Sequence, residues 1–165
     1  MLDVQGPFRV EKEAGPRGVI AFRLAAGVSI GEGLLERRGC YVFVLARDVK
    51  GRSTRRTPVY AGKATETFKQ EIFQQHKQEL LDEATNGVRG RIELFLFPVE
   101  VGPGPAPAKA IDEAESYLIR ECFELNDQLR NKRKLGKRTW EIRGVTGSGR
   151  GRPKAAVQAF NGMWE

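Results

Sequence analysis

Residues 91–99 read RIELFLFPV, a run that is apolar on both of its alternating faces. A strand of that kind is expected in the middle of a sheet, covered on each side. The other elements can be set around it. Residues 41–46 (YVFVLA) form a second continuous strand-like run, and residues 58–61 a shorter third one. Between these two lie residues 47–57, polar and basic with Gly51, which read as a long hairpin loop. Residues 67–84 predict a helix, because at about 100° per residue Phe68, Ile72, Phe73 and Leu80 share one arc, with Glu71, Gln74 and Lys77 outside it. Residues 101–108 (VGPGPAPA) can continue neither helix nor strand and connect to a second amphipathic helix over 109–125, with Ile111, Ala114, Leu118 and Cys122 in register.

The order strand, strand, helix, strand, helix predicts an α+β fold, a small mixed sheet flanked by helices. Additions stand at both ends. Residues 1–38 carry apolar segments at 8–10 and 19–24 separated by Gly15-Pro16, a hairpin or short strand pair packed on the core. Residues 134–165 form a basic extension with a possible strand at 140–142, a glycine-rich run at 144–151 and a short helix after Pro153. At 165 residues one domain with a real core is expected, residues 39–133 forming its centre.

Charge narrows the function. The net value is +7, yet residues 130–154 hold ten basic side chains against one acid, leaving the rest of the chain at −2. So local a field points to a polyanionic partner, DNA above all, although a basic face that merely aids solubility has the same composition. The basic residues best placed for it are Arg52, Arg55 and Arg56 in the hairpin loop, then Lys132, Arg133 and Lys134, then Arg150, Arg152 and Lys154. The last three belong to Arg-Gly-Arg-Pro-Lys, which looks like the AT-hook core that enters A·T minor grooves; Pro153 is equally suited to start a helix. No apolar run is long enough to cross a bilayer, since even residues 19–24 are broken by Arg23. Asp3, Glu11 and Glu13 are unlike a signal peptide. Two cysteines, Cys40 and Cys122, are too few for a disulfide framework and suit a reducing compartment, so a cytoplasmic protein is expected.

One carboxylate stands out. On the second helix Glu115 lies about 40° from Ile111 and projects between Leu118 and Ile119, in the middle of the apolar face. A buried ion pair or a divalent cation would account for it. Further markers are Gly39-Cys40-Tyr41 at the first strand, Tyr60-Ala61-Gly62-Lys63 at the second, Glu115 opening Glu-Ser-Tyr-Leu-Ile, and Asn131 in Leu129-Arg130-Asn131-Lys132. Together, over residues 39–133, they resemble the GIY-YIG nuclease family. That resemblance implies an endonuclease that hydrolyses DNA phosphodiester bonds with one divalent ion, Mg²⁺ or else Mn²⁺, held by Glu115. Tyr41 or Tyr60 would act as general base, its phenol tuned by Lys63, and Asn131 would orient the site. Without the resemblance, strand tyrosines with satisfied hydroxyls would be ordinary core.

The chain departs from the family in three places. Its triplets are separated by 18 residues, a longer gap than is usual. Ala61 replaces the isoleucine of the second triplet. Gln70 stands where the family has an arginine on the first helix. On the predicted helix, Lys69 projects between His76 and Leu80 and is the expected substitute for that arginine, or else a lysine snorkelling off the core edge. His76 projects toward the sheet, as a core histidine or as part of the site. A DNA-binding module of the same fold without cleavage, and an RNA-directed nuclease, are the alternatives. A symmetric double-strand cutter would need two active sites and hence a dimer.

Overall fold

In the computed structural model, which describes residues 2–14, 20–49, 54–130 and 155–163, the two continuous apolar runs lie side by side inside one sheet. The strands are β1 (Gln5–Ala14), β2 (Ile20–Leu24), β3 (Gly39–Arg47), β4 (Arg55–Ala64) and β5 (Arg91–Pro98), in the order β2-β1-β5-β3-β4. The helices are α1 (Phe68–Glu71), α2 (Gln75–Thr85), α3 (Ala108–Leu125) and α4 (Ala155–Asn161). The fold is thus α+β, a small sheet flanked by helices, and from β3 to α3 the expected β-β-α-β-α order holds with its first helix divided into α1 and α2. Within that class the sheet is antiparallel at all four pairings rather than mixed. The reason is positional: β4 and β5 both run opposite to β3, hence parallel to each other, but β3 lies between them and they never pair.

Alternation along β3 divides the core. Cys40, Val42 and Val44 face α3 and α4, whereas Tyr41, Phe43 and Leu45 face α1 and α2. Phe95 and Phe97 of β5 join the first group, with Phe160 of α4 edge-on to their rings at 5.6 and 5.2 Å. The N-terminal hairpin does more than pack on the core, since β1 pairs with β5 and extends the same sheet. Both outer strands are covered in part. Gln78 Oε1 accepts the outward Phe22 N–H of β2 at 2.8 Å; at β4, Asn126 Nδ2 donates to Pro58 O at 2.7 Å and Arg130 N to Val59 O at 3.1 Å. Occupied edge groups cannot template another strand. None of the described helices is long and apolar enough to cross a membrane.

The helix expected over 67–84 is two helices. Thr67 caps α1, its hydroxyl accepting from Gln70 N, and Gln74 then adopts extended backbone (φ −61°, ψ 150°) before α2 begins. Gln78 Nε2 takes the Phe73 carbonyl at the break. The interruption changes the helical phase, so α2 buries Lys77 and Leu81.

Three charged side chains are buried among the described residues: Lys77, Glu93 and Glu115. Glu93 has an architectural explanation. Arg56 Nε donates to it at 2.7 Å and Arg91 Nε at 2.8 Å, and Arg91 continues to Asp48 at 2.6 Å. Removing one partner of such a pair leaves a desolvated charge. Glu93→Ala is therefore expected to lower unfolding free energy in urea by about 3–5 kcal/mol, whereas Arg56→Met/Glu93→Leu together should recover most of it. A single variant as stable as wild type would show that the pair carries no such role.

Candidate active site

Tyr41 leaves the middle of the sheet on the α2 side and is wholly buried, while Tyr60, opposite Phe43 on the outer strand, is half-buried. Their ring centroids are 6.1 Å apart. Gly62 makes this approach possible. It stands opposite Tyr41 in the ladder, and a Cβ there would lie 2.6 Å from Tyr41 Oη and 2.8 Å from Tyr60 Cε1. No side chain fits where the two phenols meet.

A cation lies over them. Lys77 Nζ is 5.2 Å from the Tyr41 ring centroid, within cation–π range, and donates to Glu71 O at 2.5 Å. Glu71 is itself clamped, its carboxylate accepting from Thr65 N at 2.7 Å, Glu66 N at 2.8 Å and Thr65 Oγ at 3.1 Å. Partial burial works against that carboxylate's charge, but these donors outweigh it and hold its pKa below the ordinary value. Its contribution to stability is thus present above the ordinary carboxylate range and is lost as pH falls through the lowered value. From the other face Glu115 of α3, also buried, bears electrostatically on Tyr41, Tyr60 and Lys77.

Burial pushes the Tyr41 phenol well above the ordinary tyrosine range, and the nearby Tyr60, Glu71 and Glu115 add to the shift. Its hydroxyl has no hydrogen-bond partner among the described residues; Tyr60 influences it, but no hydrogen bond of normal geometry joins them. Tyr60 is raised too, by burial first and by Glu115 next. Lys77 is lowered by burial, against the pull of Glu71 and Glu115. At neutral pH both phenols therefore keep their protons.

Of the residues singled out in the sequence, Tyr41 and Tyr60 meet on the α2 side of the sheet, and Glu115 acts on them through its charge from α3. Lys63 does not join them. It pairs with Cys40 in the ladder, faces α3 and binds Asp112, so it cannot tune the phenols as expected. Lys69, on α1 beside the buried Phe68, and His76, on α2 after the break that changes the helical phase, are both exposed. Arg56 is engaged by Glu93 with its side chain 13% exposed, which removes it from the DNA-facing set; Arg55 is exposed. Arg52, Asn131, Lys132, Arg133, Lys134, Arg150, Arg152 and Lys154 lie outside the described residues.

Lys77, Glu71 and Gly62 were not anticipated. The signal for Lys77 was the Leu80-Leu81 pair. Choosing Leu81 as the inward residue brings Lys77, one turn earlier, onto the same face. No group of three or more His, Cys, Asp or Glu side chains gathers for a metal among the described residues. Glu115, a buried carboxylate whose charge is felt at both phenols, is the residue whose chemistry would suit a hard cation that keeps water and substrate oxygens in its other positions. Comparison with protein-family models, with curated proteins and with solved structures finds no match for the chain.

Proposed function

We propose that the chain is a divalent-metal-dependent endonuclease that hydrolyses DNA phosphodiester bonds, the activity its resemblance to the GIY-YIG nucleases implies. The observation that carries this reading is the company kept by the buried charges. Glu93 is held by two arginines, Lys77 lies over the Tyr41 ring, and the charge of Glu115 is felt at both tyrosines. Burying charge is costly, and a constellation of this kind with shifted phenol and ammonium pKa values is typical of a reacting site.

Tyr60, half-exposed at the sheet edge, is the residue that meets substrate. As a neutral phenol it donates a hydrogen bond to a phosphate oxygen or orients the attacking water. Tyr41 lies behind it and fixes its ring through the contact over Gly62. Lys77 places positive charge over the Tyr41 ring, held by the Glu71 carbonyl, where it opposes the negative charge that builds on the phosphate. Glu115 is the residue that would hold Mg²⁺ or Mn²⁺. Such an ion, when bound, supplies Lewis-acid charge to the phosphate and to the leaving oxygen.

A second reading is a DNA-binding module of the same fold without cleavage. It is favoured by Lys63 being engaged with Asp112 and by Gln70, in the place of the family arginine, being exposed. A supercoiled-plasmid assay separates the two. Nicked or linear product is expected with Mg²⁺ or Mn²⁺, no product in EDTA, and recovery when the metal is restored. Binding without product under every metal condition establishes the second reading, and stronger cutting of RNA in a parallel reaction would move the substrate class.

A further inference from the structure

The β3–β4 hairpin ends in like charges. Arg47 and Arg55 are direct cross-strand partners, both exposed, an arrangement that repels. The turn after α2 brings a third. Gly90, at φ +148°, packs so close that a Cβ would lie 3.2 Å from Arg47 Cγ, and exposed Arg89 precedes it. None of the three forms an ion pair with a described residue. The acids nearby are engaged elsewhere: Asp48 with Arg91, Asp82 with Lys12 and Glu83 with Arg130.

Position gives this cluster its meaning. By strand alternation Arg47 follows Tyr41, Phe43 and Leu45 on the α2 side, and Arg55, as its direct partner, shares that face with Tyr60. Five steps along the strand separate Arg55 from Tyr60, roughly 17 Å at about 3.4 Å each and slightly less across the bulge. A turn of duplex DNA rises about 34 Å. Half a turn from a phosphate at Tyr60, the same side of the duplex presents the backbone of the complementary strand.

We propose that Arg47, Arg55 and Arg89 form a clamp on the DNA backbone, gripping the complementary strand about half a helical turn from the bond cut at Tyr60. The choice of DNA as occupant rests on the nuclease reading; the unneutralised arginine cluster stands independently of it.

The test uses the full chain in EDTA, titrated by fluorescence anisotropy against a duplex of about two turns at several salt concentrations. Arg47→Gln/Arg55→Gln/Arg89→Gln retains the apolar stems and removes three charges. The slope of log K against log salt is expected to fall by about 0.9 for each phosphate that is no longer neutralised, about 2.7 if all three arginines meet phosphate. Lys109→Gln, exposed on α3, should leave it almost unchanged. An unchanged slope in the triple variant, or an equal loss per charge in the control, overturns the clamp. Plasmid cleavage run in parallel keeps the two ideas apart. A cutting wild type with an unaffected triple variant removes the clamp alone, whereas a triple variant that loses slope in a protein that never cuts keeps the clamp and removes the nuclease.

Discussion

Glu115→Gln is expected to reduce metal-dependent DNA cleavage by at least about 10³-fold while leaving unfolding stability equal or higher. The two halves of this result have one origin. Glu115 lies on the buried face of α3 among Ile111, Leu118 and Ile119. A carboxylate placed there for stability would be missed when neutralised. One placed there for a cation should be silent in the fold and decisive in turnover. Glutamine has nearly the same shape and can still hydrogen-bond, so packing is preserved. The measurements are initial cleavage rates over a Mg²⁺ titration and the thermal midpoint in EDTA. A variant that cuts at the wild-type rate removes Glu115 from the metal. One that loses activity and several degrees of melting temperature together is a structural carboxylate.

Much of the fold was readable because its signals are long. The 18 residues of α3 repeat their apolar positions over five turns, and β5 is apolar on both faces, which leaves it few places except the middle of a sheet. The meeting of Tyr41 and Tyr60 on one face and the burial of Glu115 on α3 were also readable, each fixed by strand or helix phase within its own element. The cations were not. Lys77 depends on a break near Gln74 made by tertiary contacts, the Gln78 side chain bonding both Phe22 N and the Phe73 carbonyl. Sequence periodicity cannot see a partner 56 residues away. Lys63 was lost to strand alternation, since the residue after Gly62 must face the opposite side. Arg56 was misplaced because Glu93, its partner across the sheet, sits inside an otherwise apolar strand and gave no hint of which arginine it holds.

Lys77→Met is expected to slow cleavage by about 10²–10³-fold, the usual effect of losing one preorganised charge-stabilising donor, and to raise the thermal midpoint. Methionine follows the lysine stem and fills nearly the same space, so the Tyr41 ring keeps its cover. What disappears is a desolvated ammonium, whose burial opposes folding and already lowers its pKa. Its bond to the Glu71 carbonyl offsets part of that cost, which limits the gain in stability. Exposed side chains of α1 and α2 give the contrast. Lys69→Ala and His76→Ala, both outside the converging set, should cut at close to the wild-type rate. Lys77→Arg separates charge from fit: it keeps the cation but brings a broad planar fork into a site sized for an ammonium, so partial activity with reduced stability is expected. Charge buried for function should therefore reveal itself as stability gained and turnover lost in the same variant. A Lys77→Met protein that melts earlier than wild type and still cuts at full rate would make Lys77 a packing residue. The cation opposing charge on the phosphate would then have to be sought elsewhere in the chain.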